Sequence, residues 1–165
     1  MRTRVVSMVA LAVILGLPAE CRAQASVNPH VGYDVDIEEL LIGGSVQFGV
    51  PGAAIAGVAL RFSPGLSYYI GGSGGRFLVA DLDAQYPFTA RSVQPYVGGG
   101  VFLRRVSVDV DIVGSITDTD VGLNLMGGAA FGSSSRVRPF VEGRLRVGSG
   151  LTLVLLGGVR LMVGV

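Results

Sequence analysis

The chain has 165 residues and a formal net charge of +1, with 13 basic residues, all of them arginine, against 12 acidic ones. This length allows one domain of ordinary size, and the scattered, balanced charge excludes a polybasic nucleic-acid-binding surface. Half of the residues are hydrophobic and the mean hydropathy is +0.59. Beyond the first 25 residues, however, no segment approaches the roughly 18 consecutive apolar residues that indicate a transmembrane helix. A protein that exposes apolar side chains to lipid at alternate positions would have this profile.

Residues 1–25 have the layout of a secretory signal peptide. Two arginines precede an apolar stretch at 5–17, and Ala-Gln-Ala at 23–25 matches a cleavage site, which would be used after either alanine. The apolar stretch is shorter than the roughly 20 residues of a spanning helix, although an uncleaved anchor is the alternative. Because Cys21 is the only cysteine, we expect residues 26–165 to form one mature domain with neither a disulfide nor a thiolate site.

The mature domain has an apolar period of two from one end to the other. Apolar residues alternate with small or polar ones in eight segments: 26–35, 40–50, 58–70, 78–86, 94–104, 120–131, 138–147 and 151–163. The third is the cleanest, with Val58, Leu60 and Phe62 on one side and Ala59 and Arg61 on the other. An even number of segments, each of roughly 10 to 14 residues, is suited to crossing a bilayer as tilted antiparallel strands.

The connections between these segments fall into two sets. If both chain ends face the periplasm, the first, third, fifth and seventh connections lie outside the cell. The fifth is the longest and is rich in aspartate, so we expect an outer loop there, mainly residues 105–118. The second connection, residues 49–57, is expected to be a periplasmic loop. Tyr86 and Phe88 are placed to anchor the periplasmic interface of the membrane.

The polar side of the alternating segments indicates which face is inside. In a soluble barrel the polar face meets water, whereas in a membrane barrel it lines the lumen and the apolar face meets lipid. Here the polar side consists mostly of Gly, Ala and Ser with scattered Arg, Asp and Glu, and the chain has no lysine. A solvated surface would carry more charges, while small residues suit the crowded interior of an eight-stranded barrel. The pattern therefore favours a membrane barrel.

Three runs, QPYVGGGVFLRR at 94–105, DVGLNLMGGAAFG at 120–132 and VRPFVEGRLRVG at 137–148, stand within these segments. Together with the signal peptide and the eight segments, they resemble small bacterial outer-membrane β-barrel proteins. These are the OmpA-like and OmpX-like barrels of the "outer membrane protein β-barrel domain" family. The resemblance covers the whole mature chain. It implies an all-β fold, an eight-stranded antiparallel up-and-down transmembrane β-barrel, located in the cell outer membrane.

We expect a monomer whose partners are outer-membrane lipid and the barrel-assembly machinery, with no nucleic acid. The resemblance does not add a specific ligand. It does not fix the function, because barrels of this kind include adhesins, structural anchors and enzymes. We expect a non-enzymatic protein with a structural or surface-recognition role through its outer loops. The alternatives are a barrel enzyme that acts on outer-membrane lipid and a narrow pore that favours anions.

Charged residues on the predicted lumen side should form an internal ion network, because an unpaired charge in a narrow interior of low dielectric constant is costly. The predicted members are Arg61, Asp81, Asp83, Arg104, Glu142, Arg144, Arg146 and Arg160. We expect Asp81 and Asp83 to face Arg61 on the preceding strand or Arg104 on the following one. We expect Glu142 to lie near one of Arg144, Arg146 and Arg160. Asp34 and Asp120 share the same side.

The sequence predicts no catalytic, cofactor or metal site. Asp81 and Asp83 have a spacing that a glycosidase could use, but a filled lumen leaves no cleft for a sugar. His30 is the only histidine, and with no mature cysteine it is too little for a zinc site. A Ser/His arrangement would have to combine His30 with Ser26 or Ser45, and nothing in the sequence supports that combination.

Overall fold

The structure is a computed structural model that describes residues 25–70, 75–88, 92–110, 114–132 and 136–163. Within these ranges, side chains are described for all positions except 51, 75, 76, 107–110 and 114–117. Apart from Ala25, the predicted signal peptide lies outside the described residues. In the part of the chain that is described, no helix has the length and apolar character to cross a membrane.

Eight antiparallel strands form a closed barrel in which each strand pairs with its neighbours in the sequence. They are β1 Ala25–Asp34, β2 Glu39–Ile55, β3 Val58–Ile70, β4 Gly75–Pro87, β5 Val93–Val110, β6 Gly114–Phe131, β7 Val137–Val147 and β8 Leu151–Val163. The first and last strands close the barrel by pairing with each other, with Ala25 opposite Val163. Both ends of the described chain therefore lie at the same end of the barrel, here called the terminal end. The predicted fold class is confirmed.

The apolar side of each strand points outward. Along β6, Val121, Leu123 and Leu125 are 64%, 59% and 59% exposed, whereas Asn124 and Met126 on the other side of the strand are 1% and 6% exposed. This is the reverse of a soluble barrel, in which the apolar residues fill the interior and the polar ones meet water. The apolar side chains on the outside of the barrel are here called the outward, lipid-facing belt. They require a surrounding of lipid.

Two predicted loops are largely strand instead. Residues 105–110 and 114–118 continue the β5–β6 hairpin, with Arg105 opposite Thr119 and pairing that runs on to Val110 opposite Gly114. The sequence favours this outcome because valines alternate with polar residues from 106 to 110, and β-branched residues suit a strand. The density of aspartates in this segment made it resemble a loop.

The predicted loop at 49–57 is likewise mostly strand, since β2 continues to Ile55. The turn that follows is very tight. Ala56 and Gly57 have φ values of 50° and 77°, as the two central residues of a type I′ hairpin turn do. Positive φ is uncommon for alanine, so the register between β2 and β3 imposes this conformation on Ala56.

Aromatic side chains mark the two rims of the outward belt. At the terminal end Tyr86 and Phe88 pack edge to face with ring centroids 5.2 Å apart, and Phe131 is 41% exposed. Near the opposite rim, Tyr33 and Tyr68 are about as exposed, at 40% and 42%. Aromatic residues at both interfaces are typical of transmembrane barrels.

Two adjacent glycines of β6 give a test of which face is packed. A Cβ atom on Gly128 would lie 2.5 Å from the Tyr96 hydroxyl and 2.5 Å from the Val141 carbonyl oxygen, while one on Gly127 would meet nothing nearer than 4.0 Å. We therefore expect Gly128→Val to destabilise the folded barrel by about 1–3 kcal/mol through overpacking. Gly127→Val should be neutral, because its side chain enters the outward belt. Urea unfolding in lipid vesicles would measure both, and equal effects would contradict the assignment of the two faces.

Candidate functional site

Six polar side chains meet in the middle of the lumen and are here called the lumen cluster: Asp81, Asp83, Asn124, Glu142, Arg144 and Arg146. Arg144 is its centre. Its guanidinium group lies 3.0 Å from an Asp81 oxygen, 3.1 Å from an Asp83 oxygen and 2.8 Å from a Glu142 oxygen. The planar guanidinium group has five N–H donors, so one arginine can serve several carboxylates at once.

Arg146 and Asn124 complete the hydrogen bonding of the two aspartates. Arg146 lies 3.2 Å from Asp81 and also donates to the Tyr69 hydroxyl at 2.8 Å. The amide nitrogen of Asn124 donates to Asp81 at 2.9 Å and to Asp83 at 3.0 Å. Burying an ion pair stabilises a fold only when the remaining lone pairs are also satisfied. The Asn124 amide group supplies these additional hydrogen bonds to both carboxylates.

Glycines in the intervening strands allow these contacts. Asp83 on β4 is opposite Gly100 on β5, which is in turn opposite Asn124 on β6. A Cβ atom at Gly100 would collide with the Leu82 carbonyl oxygen and with the Asp83 carboxylate. With glycine there, the Asn124 amide reaches over β5 to the aspartates.

Gly128 has the same role one strand further round the barrel. It lies between Tyr96 and Glu142 in the register, and the Tyr96 hydroxyl passes over it to donate to Glu142 at 2.9 Å. The glycine-rich runs of the sequence are therefore the places where side chains of next-but-one strands meet.

The predicted partners of Asp81 and Asp83 are wrong. Arg61 donates instead to Gln94 at 2.9 Å, and Arg104 pairs with Asp120 at 2.9 Å. The strand register explains both results, because Arg61 is opposite Gln85 and Arg104 is opposite Asp120. Closure of the barrel brings β7 across the lumen to face β4, and the aspartates are paired from there.

The expected contact of Glu142 with a nearby arginine is present, since Glu142 and Arg144 are two residues apart on the same face of β7. Arg160 lies elsewhere. Its guanidinium carbon lies 4.5 Å from the ring centroid of Tyr96 and 5.4 Å from that of Phe140, and it reaches Gln85 at 3.5 Å. Stacking on aromatic faces stabilises a buried guanidinium group through the ring quadrupole.

Sequence reasoning missed three members of the site: Tyr69, Tyr96 and Asn124. All three fall on the lumen side of the alternation, so strand parity could have found them. The prediction considered charges only, although neutral donors also satisfy buried carboxylates. Tyr69 is the clearest case, because it donates to Asp34 at 2.9 Å and accepts from Arg146.

Side chains fill the lumen above and below the cluster. Towards the end opposite the termini, six buried residues pack into an apolar layer: Leu41, Tyr69, Val79, Phe102, Val154 and Leu156. The cavity beside the cluster is about 20 Å³, measured as the space open to the centres of water molecules. That is room for about one water molecule.

Comparison with solved structures places this architecture. The N-terminal β-barrel domain of Pseudomonas aeruginosa OprF matches with a TM-score of 0.67 and 13% sequence identity, over 85% of this chain and 97% of that one. Neisserial surface protein A matches with a TM-score of 0.63 and 20% identity, over 84% and 94% of the two chains. The outer membrane enzyme PagL matches with a TM-score of 0.54 and 14% identity, over 82% and 98%. This chain has the fold of an outer-membrane β-barrel. No protein-family model and no curated protein matches the sequence.

The single histidine of this outer-membrane barrel lies within hydrogen-bonding distance of a serine in the lumen. His30 Nε2 lies 3.1 Å from Ser67 Oγ, and His30 Nδ1 lies 3.3 Å from the Asn28 carbonyl oxygen. A serine hydrolase would place a carboxylate at that second nitrogen to hold the imidazole tautomer. Ser26 and Ser45, the serines considered from the sequence, hydrogen-bond to Asn28 instead.

A second, smaller ion pair lies at the barrel end opposite the termini. The Asp120 carboxylate accepts from Arg104 at 2.9 Å and from the Ser149 hydroxyl at 2.8 Å. Both members of the pair are partly exposed, so it contributes at most about 1 kcal/mol to stability. Among the residues that the structure describes, no group of three or more His, Cys, Asp or Glu side chains could hold a metal ion.

Proposed function

We propose that this chain is a sealed, non-enzymatic outer-membrane barrel that serves in surface recognition through its β5–β6 hairpin. The observation that carries the proposal is the length of this hairpin. Pairing of β6 with β7 ends at Leu123 opposite Val147, whereas β6 and β5 remain paired as far as Gly114 opposite Val110. Nine residues of β6, 114–122, therefore extend past β7.

The other connections at that end of the barrel are short. β1 and β2 are joined by residues 35–38, β3 and β4 by 71–74, and β7 and β8 by 148–150. With both termini in the periplasm, the β5–β6 hairpin points away from the cell. β4 supports it along β5 as far as Gly75 opposite Val108, whereas, among the described residues, its β6 side is free of pairing with β7 beyond Leu123. Binding residues are typically carried on segments that a rigid scaffold holds out into solvent.

The filled lumen supports this role over a pore. Ions cross a barrel through a continuous column of water. The lumen cluster and the apolar layer of buried residues would both interrupt such a column. We expect the purified protein to give no stepwise conductance in planar bilayers. Anion-selective steps would contradict the proposal and would favour the pore.

The enzyme alternative has one observation behind it, because the His30–Ser67 contact resembles part of a hydrolase site and PagL shows that this fold can host an enzyme. Both side chains point into the filled lumen, where a lipid ester does not reach them. We expect the mass spectrum of outer-membrane lipid to be the same with and without the protein. A mass change that is lost in His30→Ala and Ser67→Ala would overturn this part of the proposal.

The recognition role is tested by shortening the hairpin. Arg105 and Thr119 are opposite each other, so residues 106–118 can be replaced by Asn-Gly, the residues that favour a two-residue type I′ turn. We expect the shortened barrel to keep its shift in gel mobility on heating in SDS. Cells that display it should lose the adhesion to extracellular-matrix proteins or glycans that cells with the full chain gain. If cells with the full chain adhere no better than cells without it, the recognition role is wrong.

A further inference from the structure

The β2–β3 hairpin projects beyond its neighbours at the terminal end of the barrel. On one side, β1 begins at Ala25, and Ser26 is already opposite Gln47. On the other side, pairing with β4 ends where Arg61 is opposite Gln85. Among the residues that the structure describes, β2 therefore pairs only with β3 beyond Gln47, and β3 pairs only with β2 before Arg61.

This projecting segment has no polar side chain. Residues 48–60 read FGVPGAAIAGVAL, whereas the other two connections at the same end, 88–92 and 132–136, contain serine and arginine. Ile55, next to the turn, is 57% exposed. An apolar segment without charges is unfavourable in water, at about 25 cal/mol for each Å² of apolar surface, and unpaired apolar strands favour aggregation.

A bulge sets which side chains face outward. Gly49 is opposite Arg61 and Ala54 is opposite Ala59, so residues 50–53 of β2 oppose Leu60 alone. Since β3 has no extra residue, its alternation continues undisturbed to its first position.

Val58 therefore lies on the same side of β3 as Leu60 and Phe62, which is the outward, lipid-facing side. Ile55 is opposite Val58 and joins that side, while Ala54 and Ala59 take the other. The bulge thus places Ile55, the bulkiest side chain next to the turn, in line with the lipid-facing belt, and alanines on the opposite face.

The length of the hairpin fixes its depth. The 13 residues of β3 span about 43 Å along the strand. At a tilt of about 40° this is roughly 33 Å along the membrane normal, against an apolar band of about 25 Å. The tip therefore passes the hydrocarbon region at the rim marked by Tyr86 and Phe88. The tip also cannot lie inside the hydrocarbon region, because no water is present there to hydrogen-bond its unpaired backbone amides.

We infer that the β2–β3 hairpin is a lipid-binding element, with Ile55 and Val58 inserted at the boundary between head groups and acyl chains in the leaflet at the terminal end. Lipid is favoured over a protein partner because the Ile55 face continues the lipid-facing belt without a break, and the segment offers no polar side chain for specific recognition. This inference is independent of the recognition role of the β5–β6 hairpin.

The chain has no tryptophan, so the fluorescence of a single introduced tryptophan reports the surroundings of that position alone. Ile55→Trp in the full barrel, folded into phosphatidylcholine vesicles, is the test variant. Leu123→Trp in the belt is the lipid-exposed control. Gly150→Trp is the water-exposed control, since a Cβ atom there has no atom within 4 Å. Ala54→Trp places the same probe on the opposite face of the hairpin.

We expect the emission of Ile55→Trp to be blue-shifted towards that of Leu123→Trp, quenched by brominated acyl chains and protected from acrylamide. Ala54→Trp should be less protected. An Ile55→Trp spectrum like that of Gly150→Trp, with full access to acrylamide in pure lipid vesicles, would overturn the inference and would favour a protein partner. If Ile55→Trp fails to fold, Val58→Trp makes the same measurement from the facing strand.

Discussion

Replacing Arg144 with methionine should destabilise the folded barrel by about 3–5 kcal/mol, because it leaves three buried carboxylates without their shared cation. Asp81, Asp83 and Glu142 are each within 3.1 Å of this guanidinium group, and all are less than a tenth exposed. Removing one partner of a buried pair costs more than the pair contributes, since the remaining charge cannot return to water. Urea unfolding in lipid vesicles, followed by gel mobility, would measure the loss.

Arg61→Met is the matched control. Arg61 is half-buried and donates to the neutral Gln94 at 2.9 Å, so its removal should cost about 0.5–1.5 kcal/mol. Asp83→Asn should change the free energy of unfolding in opposite directions in two backgrounds. It should destabilise the native barrel, and it should stabilise the Arg144→Met variant, because there it removes an unpaired charge. Equal losses for Arg144→Met and Arg61→Met would show that the lumen cluster is hydrated and that its ion pairs contribute little.

Placing an arginine at Leu125 should destabilise the barrel in a bilayer by about 2–4 kcal/mol, the cost of a cation at the mid-plane of the lipid. Leu125 lies in the outward belt and is 59% exposed in the isolated barrel. In a water-soluble barrel the same substitution at so exposed a position would change stability by less than about 0.5 kcal/mol. Equilibrium folding into vesicles distinguishes the two outcomes.

The free-energy cost of an arginine in the membrane depends on its depth, and this dependence provides a control for Leu125→Arg. Leu151 is 64% exposed and begins β8 directly after the β7–β8 turn, so it lies at the rim of the belt. Leu151→Arg should cost only about 0–1 kcal/mol, because the side chain reaches the head groups. If Leu151→Arg were as harmful as Leu125→Arg, the rim of the membrane would have to lie beyond the turn.

The sequence was sufficient for the architecture, because every strand keeps a period of two and a single buried face fixes its parity. All eight predicted segments lie within one residue of the strand end on at least one side, and the segments of β3 and β8 match at both ends. The strand ends were hardest to predict where the amino-acid composition is typical of a loop but the backbone pairs as a strand. Residues 105–118 carry charges that are typical of a loop, yet residues 105–110 of β5 pair with residues 114–119 of β6 as a continuous ladder.

The pairing inside the lumen was less predictable. Sequence reasoning assumed that a charge pairs with the adjacent strand, which is true of Arg104 and Asp120. Asp81 and Arg146 are 65 residues apart and meet across the lumen. Such contacts depend on the stagger of the strands and on which positions are glycine, and neither is visible in the parity of one segment.

The lumen cluster joins β4 to β7, so it can form only after the second half of the chain has been added to the sheet. Until then, Asp81 and Asp83 remain hydrated on a partly built, open sheet. Contacts between residues so distant in sequence are slow to form, because the intervening chain must first be ordered. Closure of the barrel, rather than the formation of any hairpin, is thus the step at which these carboxylates exchange water for Arg144.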